Sequence, residues 1–260
     1  MKIEYKGRGR YLEKLPKVLF IGAHNDDCEY GPGGTAALLN ELGCETVFLN
    51  IACTRHDDFD AQTLARMNKQ EIDAAAVLGA KKIITGERGR EAYFYTQANV
   101  NVIEEQLHDI RADIVFIHWH QDNHIEHVAA AKCSLDALCI ADVHGYAPRE
   151  VYAFEAGPNQ TSAFFNPDFH IDITSVMERV KDSLMVFDQQ HAHGPGLWRE
   201  KEIAASFRGK IAHCPYAEGF KIMKYPYGFE DAELLLPKLL KGKFAWIGGG
   251  MYPYGRRYYF

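Results

Sequence analysis

The sequence predicts an α/β protein with a Rossmann-like, mostly parallel sheet covered by helices on both faces. Two observations carry this. Short, continuously apolar segments of buried-strand type recur along the first half of the chain, and segments with helical apolar spacing separate them. That alternation requires βαβ crossovers and therefore parallel pairing.

The elements follow in order. Lys17–Gly22 (KVLFIG) reads as a first buried strand, and a glycine-rich turn (Gly31, Gly33, Gly34) leads into a helix over Thr35–Leu42 that Gly43 stops. Thr46–Ala52 is a second strand. Leu64–Leu78 is a helix ended by Gly79, with Ala74, Ala75 and Ala76 allowing close packing. Lys82–Thr85 is a third strand, Val100–Ile110 a helix, Asp113–His118 a fourth strand and Ile125–Ile140 a helix. The second half is less regular: Glu150–Glu155 and Phe169–Ile173 read as strands, Thr174 caps a helix through Phe187, and another helix spans Leu197–Ala212. No linker composition divides the chain, so one domain over 1–260 is expected, with a core of about 17–222 and a Gly- and Tyr-rich C-terminal extension over 223–260 that shows no period.

Composition excludes several functions. With 260 residues, 47% hydrophobic, 25% charged and a net charge of −6, the chain can bury a sizeable core and lacks the basic footprint of a nucleic-acid binder. No apolar run reaches the ~20 residues of a membrane span, and no secretory signal is visible at Met1–Lys17. The six cysteines form no C-x-x-C pair, which fits reduced thiols and a cytoplasmic location.

Histidine stands out. Four of the 12 (His118, His120, His124, His127) fall within ten residues. Asp122-Asn123-His124-Ile125-Glu126-His127 lies just beyond the fourth strand, and Ala23-His24-Asn25-Asp26-Asp27-Cys28-Glu29 lies where the first strand ends. Ligands gather at the carboxyl ends of parallel strands, so both loops reach one edge. Adjacent carboxylates repel unless a cation or hydrogen bonds stabilise them. One His and one Asp from the first loop with one His from the second make three ligands and an open position, the pattern of catalytic zinc; mixed N/O donors admit other divalent metals too. Taken singly, a His-x-x-His pair at a helix start is commonly a surface feature and Asp-Asp after a strand commonly a cap. Their joint placement is what points to chemistry. The glycine run could cradle a phosphate, but the G-x-G-x-x-G order is absent and two aspartates flank it.

These residues resemble the LmbE-like, or PIG-L-like, zinc-dependent N-deacetylases. Ala23 to Glu29 matches the signature Ala-His-Pro-Asp-Asp-x-Glu with Asn25 in place of Pro, and His124-Ile125-Glu126-His127 matches His-Pro-Asp-His with both middle residues changed. Gly33-Gly34-Thr35, Leu78-Gly79, Glu87-Arg88-Gly89, Asp172-Ile173-Thr174, Gln189-Gln190 and Tyr216-Ala217-Glu218-Gly219-Phe220 follow in family order, covering roughly 17 to 222. The resemblance implies His24, Asp27 and His127 as ligands of Zn2+, Asp26 as general base, and His124 as the protonated group that stabilises the oxyanion and serves the leaving amine. It implies a small-molecule N-acetyl sugar or glycoconjugate as substrate and a homo-oligomer, trimer or hexamer. For substrate contacts the candidates are Arg66, with Arg55 and Arg88 as rivals, Asp122 at the entrance, and His193 with His191 in a wall. His118 and His120 are candidates to orient ligands. An amidase acting on a non-sugar N-acyl compound and a catalytically silent metal-binding protein are the rival readings.

Overall fold

A computed structural model describes residues 14–51, 60–85, 94–157, 165–187, 194–224 and 234–246. Eight strands form one sheet: β1 (Lys17–Gly22), β2 (Glu45–Asn50), β3 (Lys81–Ile84), β4 (Ile114–His118), β5 (Glu150–Phe154), β6 (Phe169–Asp172), β7 (Ala217–Lys224) and β8 (Phe244–Trp246). Their order is β3-β2-β1-β4-β5-β7-β6-β8. The first five pair in parallel, as the apolar runs predict. The other three join through antiparallel pairs.

Alternation along each strand builds two cores. Val18, Phe20, Phe116 and Phe154 face one side; Leu19, Ile21, Val115 and Ile117 face the other. All are essentially inaccessible, so the sheet is covered on both faces and its strands need no polar residues. Phe20 stacks on Phe116 with ring centroids 4.6 Å apart, tying the two central strands together.

The helices are α1 (Asp27–Tyr30), α2 (Gly33–Glu41), α3 (Ala61–Val77), α4 (Gln97–Ile110), α5 (Ile125–Val143), α6 (Met177–Leu184), α7 (Gly194–Ala212) and α8 (Leu235–Leu239). Caps set several starts: Asp60 accepts the Thr63 N–H at 2.7 Å, and Thr96 does the same for Asn99 at 3.2 Å. The expected cap at Thr174 is instead a 3-10 turn, Thr174–Val176, whose Thr174 N–H bonds to the Asp172 carboxylate at 2.9 Å before α6 begins.

Two expectations need correction. The glycine run is no open turn. It joins α1 to α2, and its glycines answer to packing: a Cβ on Gly31 would lie 2.6 Å from the Phe154 ring, and one on Gly34 would lie 2.8 Å from Ile173. The helix begins with a buried cap from far along the chain, because Glu218 accepts the N–H groups of Gly34 and Thr35, both at 2.8 Å, and the Thr35 hydroxyl at 2.6 Å. Lys201 closes this network at 2.6 Å from Glu218. Secondly, part of the stretch expected as an extension belongs to the sheet. β8 pairs with β6, and α8 packs in the core through Leu235, Leu236 and Leu239.

Strand order places the site. Successive strands leave β1 toward β3 on one side, while the chain returns to β4 on the other. The carboxyl ends of β1 and β4 therefore flank a topological switch point, where parallel sheets leave a crevice.

Candidate metal centre

The β1–α1 loop and the β4–α5 loop both open into that crevice. The first carries His24, Asp26 and Asp27; the second carries Asp122, His124, Glu126 and His127. Asp27 opens α1, and its Oδ2 is saturated by the N–H groups of Ala23 (2.8 Å) and His24 (2.7 Å) and by His118 Nε2 (2.9 Å). Its Oδ1 is left to face His127 Nε2 at 3.3 Å.

Two further carboxylates fix the histidines. Asp122 Oδ2 accepts the proton of His127 Nδ1 at 2.8 Å, so Nε2 carries the lone pair. Glu126 holds His24 through Nε2, so that Nδ1 is the nitrogen turned toward His127. His24 Nδ1 and His127 Nε2 then lie 3.1 Å apart, and Asp27 lies 3.5 Å from the first. Two lone-pair nitrogens and a carboxylate that close repel unless a positive charge sits among them.

The donor set meets a test of fit. Zinc–nitrogen bonds of ~2.0–2.1 Å at tetrahedral angles place neighbouring ligand atoms about 3.3 Å apart. His127 Nε2 stands 3.1 Å from His24 Nδ1 and 3.3 Å from Asp27 Oδ1, both close to that value. Two triads have their donor atoms close enough to share an ion, His24/His124/His127 and Asp27/His118/His127, and His127 is common to both. Proximity alone thus admits His118 and His124 as ligands beside His24, Asp27 and His127.

The electrostatics agree that the site calls for positive charge. Burial works against a charged His24, but the Asp27 and Asp26 carboxylates and the bond to Glu126 raise it to about 10. Burial likewise opposes His127, and Asp27 and Asp122 raise it to about 9. Asp27 is held well below the carboxylate range by His127, His118 and His24 despite its burial. Asp26 is pushed the other way, by burial and then by the charge on Asp27. A divalent cation supplies the charge these groups otherwise draw from protons.

A cavity of about 250 Å³ opens over the centre, bounded by His24, Asp26, Asp27, His124 and His127 on one side. The His124 ring caps α5, its Nδ1 accepting the Glu126 N–H at 3.3 Å, which puts the proton of the neutral ring on Nε2. Burial and the positive His127 and His24 lower its basicity, at odds with the protonated state that the resemblance implies.

Other expectations fall differently. Asp122, expected at the entrance, has a side chain with no exposure and braces His127 from behind. Arg66 is exposed on α3 near Asp60, outside the described wall of the cavity. Arg55, Arg88, His191 and His193 lie outside the described residues. His118 is buried, bonds to Asp27 and stacks on His127 at 4.3 Å. His120 instead lies against Trp119, with ring centroids 4.2 Å apart and planes tilted by 57°. Burial holds His118 neutral, near 4.

Lys82 went unnoticed in the sequence, where it reads as the start of a strand. It is fully buried beneath the first loop, and its ammonium group donates to the Asn25 carbonyl (2.9 Å) and to both oxygens of Glu29 (3.0 and 3.1 Å). Two lysines open the half-buried strand β3, so the strand's own pattern does not signal that one of them turns inward.

Residues 19–138 match the family model described as "PIG-L: GlcNAc-PI de-N-acetylase". Over that stretch, a little under half of the chain, the sequence is similar to the PIG-L family. The match contains every residue of the two site loops. A diacetylchitobiose deacetylase of Thermococcus kodakarensis is 27% identical over 223 residues, covering 80% of this chain and 84% of that protein. Among solved structures, the N,N'-diacetylchitobiose deacetylase of Pyrococcus horikoshii superposes with a TM-score of 0.65 at 21% identity, over 80% of this chain and 84% of its own. The 4-carboxy-2-hydroxymuconate hydratase GalB of Pseudomonas putida superposes at 0.69 with 21% identity, over 84% of this chain and all of its own. The fold is therefore that of the LmbE-like deacetylases, shared with a hydratase, and a fold so shared does not decide the reaction.

Proposed function

We propose that the protein is a metal-dependent N-deacetylase that releases acetate and a free amine from an N-acetylglucosamine-type substrate. The observation that carries this is the placement of Asp26. Its neighbour Asp27 is consumed by three donors and the facing imidazole, whereas Asp26 borders the cavity directly beside the His24/Asp27/His127 set. Burial and the adjacent carboxylate make it more basic than an ordinary aspartate, as a general base needs.

His24, Asp27 and His127 would hold the ion, for which zinc is the family's precedent. Bound there, a divalent cation supplies Lewis acidity toward a carbonyl oxygen and lowers the pKa of water to about 7. Asp26 takes the proton from the attacking water as its oxygen bonds to the acetyl carbon. His124, through Nε2–H, donates to the oxygen on which charge develops. The C–N bond then breaks, and the proton that Asp26 took from water passes to the departing nitrogen, so acetate and amine leave with charge balanced while His124 keeps its Nε2 proton. Asp122 and Glu126 stay outside the chemistry and keep His127 and His24 in their tautomers. The family resemblance adds a homo-oligomer in the cytoplasm; among the described residues no helix is long and apolar enough to cross a membrane.

The test is acetate release by the zinc-loaded protein across N-acetylglucosamine, its disaccharide and simple N-acyl amines, with metal content measured in parallel. Release from the sugars supports the reading. Release from simple amides alone moves the protein to a non-sugar amidase, and metal without any hydrolysis makes it a binding protein.

A further inference from the structure

The wall of the cavity opposite the ligands comes from parts of the chain that the two signature loops do not include. Helix α7 contributes Leu197 and Glu200, and α1 contributes Tyr30. Tyr30 is 5% exposed, and its hydroxyl is buried with no hydrogen-bond partner among the described residues. A buried, unsatisfied hydroxyl at a cavity is a group awaiting a ligand. Glu200 is exposed at the rim, with no ion pair among the described residues.

The charges of this wall are one-sided. Beyond His24, Asp27 and His127, which would hold the cation, the described lining carries two carboxylates, Asp26 and Glu200, and no Lys or Arg. Two cations of α7 are engaged elsewhere. Lys201 Nζ is bonded to the Gly31 carbonyl (2.7 Å) and Glu218 (2.6 Å), behind the Tyr30 ring, and Arg208 is doubly bonded to Glu155 at 2.6 and 2.7 Å.

We propose that Tyr30 and Glu200 are the substrate-selecting residues of this cavity, binding hydroxyl and amine groups of an uncharged or amine-bearing sugar and rejecting sugars that carry phosphate or carboxylate. This rests on the deacetylase reading and narrows its substrate class. The Glu200 carboxylate accepts hydroxyl protons, and the Tyr30 hydroxyl pairs with a sugar oxygen that would otherwise face water. An anionic group at the same distance meets a like charge with no compensating cation on the described wall. Specificity of this kind exceeds what an apolar pocket gives, because a wrong substrate leaves polar groups unpaired.

The experiment uses the zinc-loaded full chain in wild-type, Glu200→Gln, Glu200→Ala and Tyr30→Phe forms, each checked for folding by thermal melting. Binding of the deacetylated glucosamine disaccharide, and of glucosamine 6-phosphate, is measured by calorimetry, and turnover of the N-acetyl counterparts is measured separately. The expected result is at least about 10-fold preference for the amine-bearing disaccharide over the phosphorylated sugar in the wild type, reduced about 5-fold or more in both Glu200 variants. Tyr30→Phe should raise KM about 5-fold with kcat within twofold, since it removes binding and no proton transfer. Preference for the phosphorylated sugar, or a preference that both Glu200 variants keep, overturns the proposal. If nothing is hydrolysed but amino-sugar binding still depends on Glu200, the selecting wall stands and the deacetylase reading falls.

Discussion

Asp122 grips His127 from behind: its Oδ2 takes the Nδ1 proton at 2.8 Å, while its Oδ1 takes the His124 N–H, also at 2.8 Å. One buried carboxylate thus fixes the tautomer of a proposed ligand and the start of the helix that carries it. Groups that hold a ligating histidine are typically worth 10–100-fold in metal affinity. Asp122→Ala is therefore expected to weaken zinc binding by about that factor, read by chelator competition. Unchanged affinity would mean that His127 does not bind through Nε2.

Lys82 and Glu29 are both fully buried and paired at 3.0 Å. Removing one partner strands the other charge, which costs roughly 3–5 kcal/mol. Lys82→Met should lower unfolding stability by about that amount in a denaturant titration, and Lys82→Met with Glu29→Gln should recover a large part of it. The single variant should also loosen the Asn25 turn, and so weaken metal binding, because its carbonyl loses the same ammonium group.

Replacing Gly34 by alanine pits two effects against each other. Alanine in a helix is favoured over glycine by roughly 0.5–1 kcal/mol. The added Cβ, however, would stand 2.8 Å from three atoms of the Ile173 side chain in a closed core. Overpacking of that kind costs roughly 1–3 kcal/mol, so Gly34→Ala should be destabilising on balance, seen as a lowered thermal midpoint.

His170 makes the acid limb of stability steep. It is buried on β6, its Nε2 has no partner among the described residues, and burial with the nearby Arg208 holds it down to about 3. A histidine depressed in the folded state leaves the unfolded chain binding the extra proton. Stability is therefore full above the unfolded value of about 6.5 and falls toward pH 3, by up to about 1.4 kcal/mol per pH unit. His170→Gln should flatten that dependence in unfolding experiments between pH 6 and 4.

Local chemistry made much of this legible in advance. Four of the five parallel strands were readable because each is buried on both faces and so spells a largely apolar run, as in Lys17–Gly22, whereas β3 at the sheet edge is only half-buried. The two site loops were readable because residues at the ends of β1 and β4 must share the switch point. What local pattern does not encode is partnership across the chain. Glu218 caps a helix more than 180 residues earlier, and Asp122 looks like an entrance residue until α5 turns it inward. β8 escaped notice because three residues at a sheet edge carry no period, and Tyr30 and Glu200 because they meet only after α7 folds over α1.

The most direct test of the central claim is Asp26→Asn, compared with the wild type for zinc content and for acetate release from the N-acetylglucosamine disaccharide. If Asp26 is the base beside a separate ligand set, the variant retains one equivalent of zinc and loses about 10²- to 10⁴-fold in kcat. A variant that binds zinc and hydrolyses at the wild-type rate would contradict the account, as would one that loses the metal altogether.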